Sequence, residues 1–458
     1  MEHPRTATPA DVLACPRCAG TLLATPAWRC SACGADHPVL DGIPWLVADP
    51  GTLQAEWRGR LRALTAELDA QAGAYRAALT DAVTRSATRN RLKLLAGACQ
   101  DHARRLRALL APLGLPETAA APETYRTLLG SLPIGQGLTS YYANLHRDWA
   151  WGEAENETAW QALDAALGPA PPGRVLVLGA GAGRLAYDLH RRRQPNLTLA
   201  VDLNPLMLAV ARRMYAGETV ELYEFPPAPR DLASHALLRE LHAPEPAPAG
   251  LHLVLADAGH APFGCGAFDT VVTPWLIDIL DEDLGGFVRR LRHWLRPGGR
   301  WIHTGSLCFQ SADPARAYAT EEVEGSVRDA GFDVASWQET TVPYLASPAS
   351  RQARHEQLVT FVAVRDAGAS TLPPPHRPTA DWLLDAGRPV PLLPAVASQV
   401  LAMRVYAFVA SLVDGRRSLR DIAGVLVQER LITADEAEPA VRSFLERLHA
   451  ESLQPRRP

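Results

Sequence analysis

Residues 174–204, RVLVLGAGAGRLAYDLHRRRQPNLTLAVDLN, constrain the fold of this chain more than any other stretch. The run Val175-Leu176-Val177-Leu178 has no polar face, so it predicts a parallel strand buried on both sides. Gly179, Gly181 and Gly183 carry no Cβ, which lets the backbone turn sharply and approach a ligand. A helix is expected from about Arg184 and a second strand over Leu197–Val201. Asp202 closes that strand, where a carboxylate can accept hydrogen bonds from two ribose hydroxyls. This is half of a nucleotide-binding βαβ unit, and alone it does not say which nucleotide.

Later segments narrow the choice. His252–Leu255 followed by Ala256-Asp257-Ala258 reads as a strand whose terminal acid could hold an adenine amino group. A fourth strand is expected over Phe268–Thr273. Leu291–Leu295 and then Arg296-Pro297-Gly298-Gly299-Arg300-Trp301-Ile302 predict a helix, a tight turn and a fifth strand. In this order the segments resemble the class I S-adenosylmethionine-dependent methyltransferases, over roughly residues 140–366; a plain NAD-binding domain is not expected to carry the LRPGGRW turn. The resemblance implies an α/β, Rossmann-like sheet. It also implies S-adenosylmethionine held by Gly179, Gly181, Gly183, Asp202, Asp257, Ala258 and Thr273.

Apolar residues make up 47% of the 458, ample for several ordinary cores. No apolar run approaches twenty residues, and the N-terminal MEHPRTATPADVLACP has no hydrophobic signal core. These features predict a cytoplasmic protein without a membrane partner. Lys93 is the sole lysine, so arginine clusters reflect a compositional bias, and a net charge of −4 gives no drive toward nucleic acid.

Four of the seven cysteines fall within residues 15–33. Cys15-Pro-Arg-Cys18 and Cys30-Ser-Ala-Cys33 are CxxC pairs separated by eleven residues, a spacing that lets four thiolates meet at one structural zinc. A redox CxxC is the competing reading, and the matching Gly20 and Gly34 turns favour the metal. LACPRCAGTL, WRCSACG and the tail HPVLDGIPWLV together resemble the Trm112-like zinc ribbons, which implies a domain over residues 1–50 with a scaffolding or partner-binding role. RNA handling is a further implication, and it is opposed by three Arg against five acidic residues in that stretch.

Residues 51–113 alternate Leu, Ala and Arg at helical spacing and read as two or three packing helices within a linker region, residues 51–139. Gly130–Gly137 is a loop signal, and Tyr141-Tyr142-Ala143-Asn144-Leu145-His146-Arg147-Asp148-Trp149 follows as a polar and aromatic cluster able to cover a cofactor. HRDWAWGEAENE, FDTVVTPWLIDIL, LRPGGRWIHTGSLCF and the long stretch Leu222–Gly250 resemble the carnosine N-methyltransferase family. On that resemblance Arg147 contacts the cofactor carboxylate, Asn144 lies near it, and Asp278 engages the methyl acceptor. The bland alternatives are a surface ion pair for Arg147-Asp148 and a helix cap for Asp278. The chain departs from the family at Gln310, where a histidine is expected, and at Arg354-His355-Glu356, where tyrosines are.

A carboxylate in Trp275-Leu276-Ile277-Asp278-Ile279-Leu280 is costly to bury, and it suits holding the distal N–H of an imidazole so that the other nitrogen faces the methyl group. His303, Gln310 and His260 are further candidates for the acceptor pocket or for a base, each also readable as packing or hydrogen-bonding residues.

After the Pro-rich linker Asp366–Thr379, helical patterns are expected over Val396–Val413, Leu419–Glu429 behind Ser418, and Ala434–Ala450 behind Thr433. This region, residues 380–458, resembles PqqD-like domains, which implies peptide binding; a packing or dimerisation module is the alternative. The leading reading is an N-methyltransferase acting on an imidazole or amine of a small molecule or peptide. A non-catalytic S-adenosylmethionine- or peptide-binding protein and an RNA methyltransferase are the alternatives.

Overall fold

The computed structural model describes residues 8–24, 28–80, 85–115, 137–280, 282–309, 313–369 and 406–453, with 387, 389 and 404. Contacts divide the chain into two units, residues 1–376 and 377–458.

Seven strands form the central sheet of the first unit: β1 (Arg174–Leu178), β2 (Leu197–Asp202), β3 (Leu251–Leu255), β4 (Phe268–Pro274), β5 (Leu295–Gly305), β6 (Phe332–Tyr344) and β7 (Arg354–Arg365). Their order is 3-2-1-4-5-7-6. The first five run parallel and β7 is antiparallel to both its neighbours. Strand direction in β1 sends Val175 and Val177 to one core and Leu176 and Leu178 to the other, so both faces of the strand are covered. Complete burial of each such side chain stabilises the fold by about 1.5–3 kcal/mol. The order reverses between β1 and β4, and in parallel α/β sheets the ligand crevice opens at the strand C-termini beside that point.

The apolar spacing in residues 51–113 resolves into two long helices, α1 (Pro50–Ala78) and α2 (Ser86–Leu110), which pack on each other. Asp49 caps α1 by accepting from the Thr52 amide at 3.0 Å, and Pro50 starts it where no amide is needed. Trp57, Leu61, Leu106 and Leu110 bury their side chains in the same core as Trp160 of α3 (Glu153–Leu167). On the sheet follow α4 (Arg184–Arg193), α5 (Pro205–Tyr215), α6 (Leu284–Trp294) and α7 (Thr320–Asp329). The long stretch Leu222–Gly250 overlaps an antiparallel hairpin, Val220–Glu224 with Leu237–Leu241.

The cysteine-rich segment does not stand apart. It packs along the free edge of β3, where Leu46 N–H donates to Leu255 O (2.8 Å), Ala14 N–H to Pro262 O (2.7 Å) and Gly264 N–H to Val12 O (3.0 Å). Trp45 and Leu46 are fully buried there. An otherwise unpaired strand edge is thereby covered.

The second unit has its own small core around α8 (Leu419–Gln428) and α9 (Ala434–Leu453), built from Val409, Leu412, Ile422, Leu426 and Val441. Ser418 caps α8 in a reciprocal box with Asp421. Half of the expected helix Val396–Val413, and the loop Gly130–Gly137 apart from Gly137, lie outside the described residues. Among the described residues no helix is long and apolar enough to cross a membrane.

Candidate functional site

Gly179, Gly181 and Gly183 all have positive φ, as the turn after β1 demands. A Cβ on Gly179 would lie 2.9 Å from the Leu276 side chain, and one on Gly183 would strike Tyr215 Oη at 2.3 Å. Gly181 is different, because a Cβ there would meet nothing within 4 Å. The outer two glycines serve close packing and the middle one faces open space.

Asp202 ends β2 beside this turn. Its Oδ2 accepts the Gly181 amide and its Oδ1 the Asn204 amide, each at 2.8 Å. Burial pushes the carboxyl pKa up, against the pull of these amides. Each oxygen keeps a lone pair for a further donor. Asp257 accepts from Gly259 N–H (2.9 Å) and lies 2.9 Å from His260 Nδ1. Burial raises the Asp257 carboxyl, but the His260 contact and that amide prevail and its pKa is lowered. Asp257 therefore caps the short turn Ala258–His260, and its carboxylate is already engaged with His260.

A roof over the turn comes from the segment before α3. Asn204 Nδ2 donates to Leu138 O (3.1 Å), Trp149 Nε1 to Ala182 O (2.9 Å) and Arg184 Nη1 to Asp148 O (2.8 Å). Residues Arg147–Trp151 form one π-helical turn, closed by Gly152 N–H on Arg147 O at 2.9 Å. Asp148 is buried and Arg147 largely so, and they share a bond of 2.6 Å, so the pair is not a surface one. Burial alone would lower the Arg147 pKa, but the Asp148 charge outweighs it and the pKa is raised, so the guanidinium is cationic. Its plane lies over the rings of Trp275 (5.8 Å) and Tyr344 (5.3 Å), and Tyr344 Oη donates to Asn144 Oδ1 at 3.4 Å.

Asp278 lies in the turn after β4. Its Oδ2 accepts from Ser306 Oγ (2.9 Å) and the Cys308 amide (3.0 Å), bridging to the segment after β5, while Oδ1 is buried with no partner among the described residues. Burial raises this carboxyl above its ordinary range. Capping of α6 falls instead to Asp283, which accepts from Gly286 N–H at 2.8 Å.

His303 stands inside the sheet on β5, completely buried, stacked on Phe361 at 5.2 Å, with Nδ1 3.2 Å from Thr273 Oγ1. Burial holds its pKa down at about 3, so the ring is neutral. Thr273 also accepts from Trp301 Nε1 at 2.9 Å, which places its side chain in the core. Gln310 lies outside the described residues.

Three contributors escaped the sequence reading. Trp275 looked like an apolar neighbour of Asp278. Tyr344 reaches the site from β6, and Glu155 of α3 holds the turn after it by accepting from Leu345 N–H (3.0 Å) and Ala346 N–H (2.8 Å). No local pattern links residues so distant in the chain.

In the cysteine-rich segment the Sγ atoms of Cys15, Cys18, Cys30 and Cys33 all lie within 4.8 Å of one another. Cys15 and Cys33 are 3.7 Å apart and Cys18 and Cys30 3.5 Å, close to the edge of a tetrahedron with metal–sulfur bonds of about 2.3 Å. Amides of Arg17 and Ala32 donate to Cys15 Sγ and Cys30 Sγ from 3.4 Å; at Cys30 this favours the thiolate, while at Cys15 burial prevails and raises the pKa. The fully buried His37 approaches Cys15 Sγ at 3.8 Å.

Residues 176–303 match the methyltransferase domain family. No curated protein matches the chain. Among solved structures, the phosphoethanolamine N-methyltransferase 2 of Haemonchus contortus with S-adenosyl-L-methionine is 17% identical, covering 50% of this chain and 57% of its own, with a TM-score of 0.32. The complex of the Haloferax volcanii Trm112 methyltransferase activator with a methyltransferase gives 15%, 49%, 96% and 0.33. An S-adenosylmethionine-dependent methyltransferase of Mesorhizobium loti gives 15%, 47%, 99% and 0.31. Likenesses of this size transfer no acceptor and no partner.

Proposed function

We propose that this chain, which carries an S-adenosylmethionine-dependent methyltransferase domain, is an N-methyltransferase acting on an imidazole or amine nitrogen of a small molecule or peptide. The observation that carries the reading is the Asp278 carboxylate, buried at the C-terminal end of the parallel strands with Oδ1 unpaired among the described residues. It requires an N–H or a cation to satisfy it.

The site suits the cofactor. Gly181 leaves open space over the turn, Asp202 retains acceptor capacity, and Arg147 supplies a fixed positive charge beside Asn144. When bound, S-adenosylmethionine supplies a methyl group on a sulfonium, already activated for in-line displacement. The protein's part is alignment, desolvation and charge placement. Arg147 holds the carboxylate end, Asp202 the ribose and the Asp257 turn the adenine. Asp278 Oδ1 takes the N–H of the acceptor, which aims the lone pair of the reacting nitrogen at the methyl group. As the acceptor becomes cationic, the same carboxylate stabilises the developing charge. Trp275 and Tyr344 keep water from the reacting atoms.

The four cysteines serve a structural zinc, with no position left open for chemistry. Incubating the protein and a cell extract with methyl-labelled S-adenosylmethionine, then identifying the labelled species by mass, tests the assignment. Label found on a nitrogen of a small molecule or peptide supports it. Label on RNA, or on oxygen or carbon, refutes it.

A further inference from the structure

Beside Asp278 Oδ1, a second buried polar atom of the site lacks a hydrogen-bond partner among the described residues: Trp275 Nε1. The indole N–H only donates and the carboxylate oxygen only accepts. Both belong to the turn after β4, Trp275 leaning on the end of β5 and Asp278 on the segment after it. Trp275 N–H donates to Thr304 O at 3.0 Å, and Asp278 accepts from Ser306 and Cys308.

Trp275 is held there at a conformational cost. Its φ is +44°, uncommon for a bulky side chain, and Gly305 makes room for it: a Cβ on that glycine would lie 2.7 Å from Trp275 N. Arg147 covers the indole and Tyr344 lies against it, with ring centroids 5.8 Å apart, so turning the N–H elsewhere sacrifices both contacts. Tyr141 (φ +63°), whose phenol feels the charges of Asp278 and Asp202, and Leu345 (φ +53°), next to Tyr344, are strained in the same way. Strain of this kind persists where the surroundings enforce it and concentrates at ligand sites.

We propose that Trp275 Nε1 and Asp278 Oδ1 read the methyl acceptor at two points, Asp278 accepting its N–H and Trp275 donating to a carbonyl or carboxylate oxygen of the same molecule. The acceptor class is then an amine or imidazole that also carries such an oxygen, as an amino acid or a peptide residue does. Trp275 is the specificity-determining residue, and the inference rests on the reading of Asp278 as the acceptor's anchor.

Calorimetric titration of the protein loaded with S-adenosylhomocysteine tests this with two probes, glycyl-histidine and histamine, which share an imidazole but differ in carbonyl and carboxylate oxygens. The wild-type protein is expected to bind glycyl-histidine about tenfold more tightly, the effect of one buried hydrogen bond. Trp275→Phe keeps the ring and removes the donor. It is expected to bring glycyl-histidine down to the affinity of histamine while the S-adenosylhomocysteine affinity stays within about twofold, which also shows that the variant is folded. A preference for glycyl-histidine that survives in Trp275→Phe, or equal binding of the two probes by the wild type, overturns the role of Trp275 alone. Loss of S-adenosylhomocysteine affinity in Trp275→Phe overturns it by assigning the N–H to the cofactor. Failure of the wild type to bind either imidazole overturns the anchor reading itself, and this inference with it.

Discussion

The Gly181 amide donates to Asp202 Oδ2 at 2.8 Å, tying the turn after β1 to the end of β2. The acid proposed to hold the ribose thus also shapes the glycine turn proposed to carry the cofactor.

Asp202→Ala removes both contributions and is expected to weaken S-adenosylmethionine binding by about 1–3 kcal/mol, the range for stranding buried polar partners. Asp202→Asn retains one acceptor oxygen and should lose less. Calorimetry measures both, and unchanged affinity in Asp202→Ala would remove this acid from the cofactor site.

Asp278→Asn should leave cofactor affinity nearly intact while methyl transfer falls by roughly two orders of magnitude or more, because the amide keeps the shape and lacks the charge. Burial raises the Asp278 pKa, so the carboxyl is protonated at pH values where an ordinary aspartate is ionised. The acid limb of the kcat profile is therefore expected above about pH 4. Single-turnover rates across pH decide it; a variant as fast as wild type would reduce Asp278 to a loop-bracing residue.

One zinc ion per chain is expected on metal analysis, and chelation should lower the melting temperature of the whole first unit. Val12, Leu13, Trp28 and Leu46 of the ribbon bury their side chains in the same core as Leu176 and Phe268 of the sheet. Replacing all four cysteines by serine without change in metal content or melting temperature would contradict this.

His102 and His146, both buried, have pKa values pushed down to about 4 by burial. They are neutral in the folded protein while an unfolded histidine, with a pKa near 6.5, takes up a proton. The unfolded state then binds more protons between about pH 6.5 and 4, so stability is complete above that window and declines as pH falls through it. Each costs on the order of 2 kcal/mol at pH 5. Denaturant unfolding at pH 7 and pH 5 measures the loss, and His102→Gln should reduce it.

What could be read from the sequence was whatever a short stretch encodes. The strand, glycine turn and acid of residues 174–202, the CxxC pairs and the capped helix at Ser418 each carry their signal within a few turns of chain, and the structure forms them there. The orientation of Asp257 toward His260 and the full enclosure of His303 depend on what packs around them, and residue type alone does not report that. Tyr344 and Glu155 join the site only because β6 and α3 meet in three dimensions. The docking of the ribbon was hidden for the same reason: its partners, Leu255 and residues 262–264, lie most of a domain downstream.

That docking imposes an order of events on a growing chain. At roughly 5–20 residues per second, the ribbon leaves the ribosome some ten to forty seconds before the strand it must pair with. During that interval metal coordination holds it together, and the side chains that pack on the sheet, Val12, Leu13, Trp28 and Leu46, have no surface to rest on. A nascent chain arrested short of β3 should already retain zinc and yet be cut readily by protease at the ribbon, and full-length release should end the cutting. The free edge of β3 is sealed by a segment made well before it.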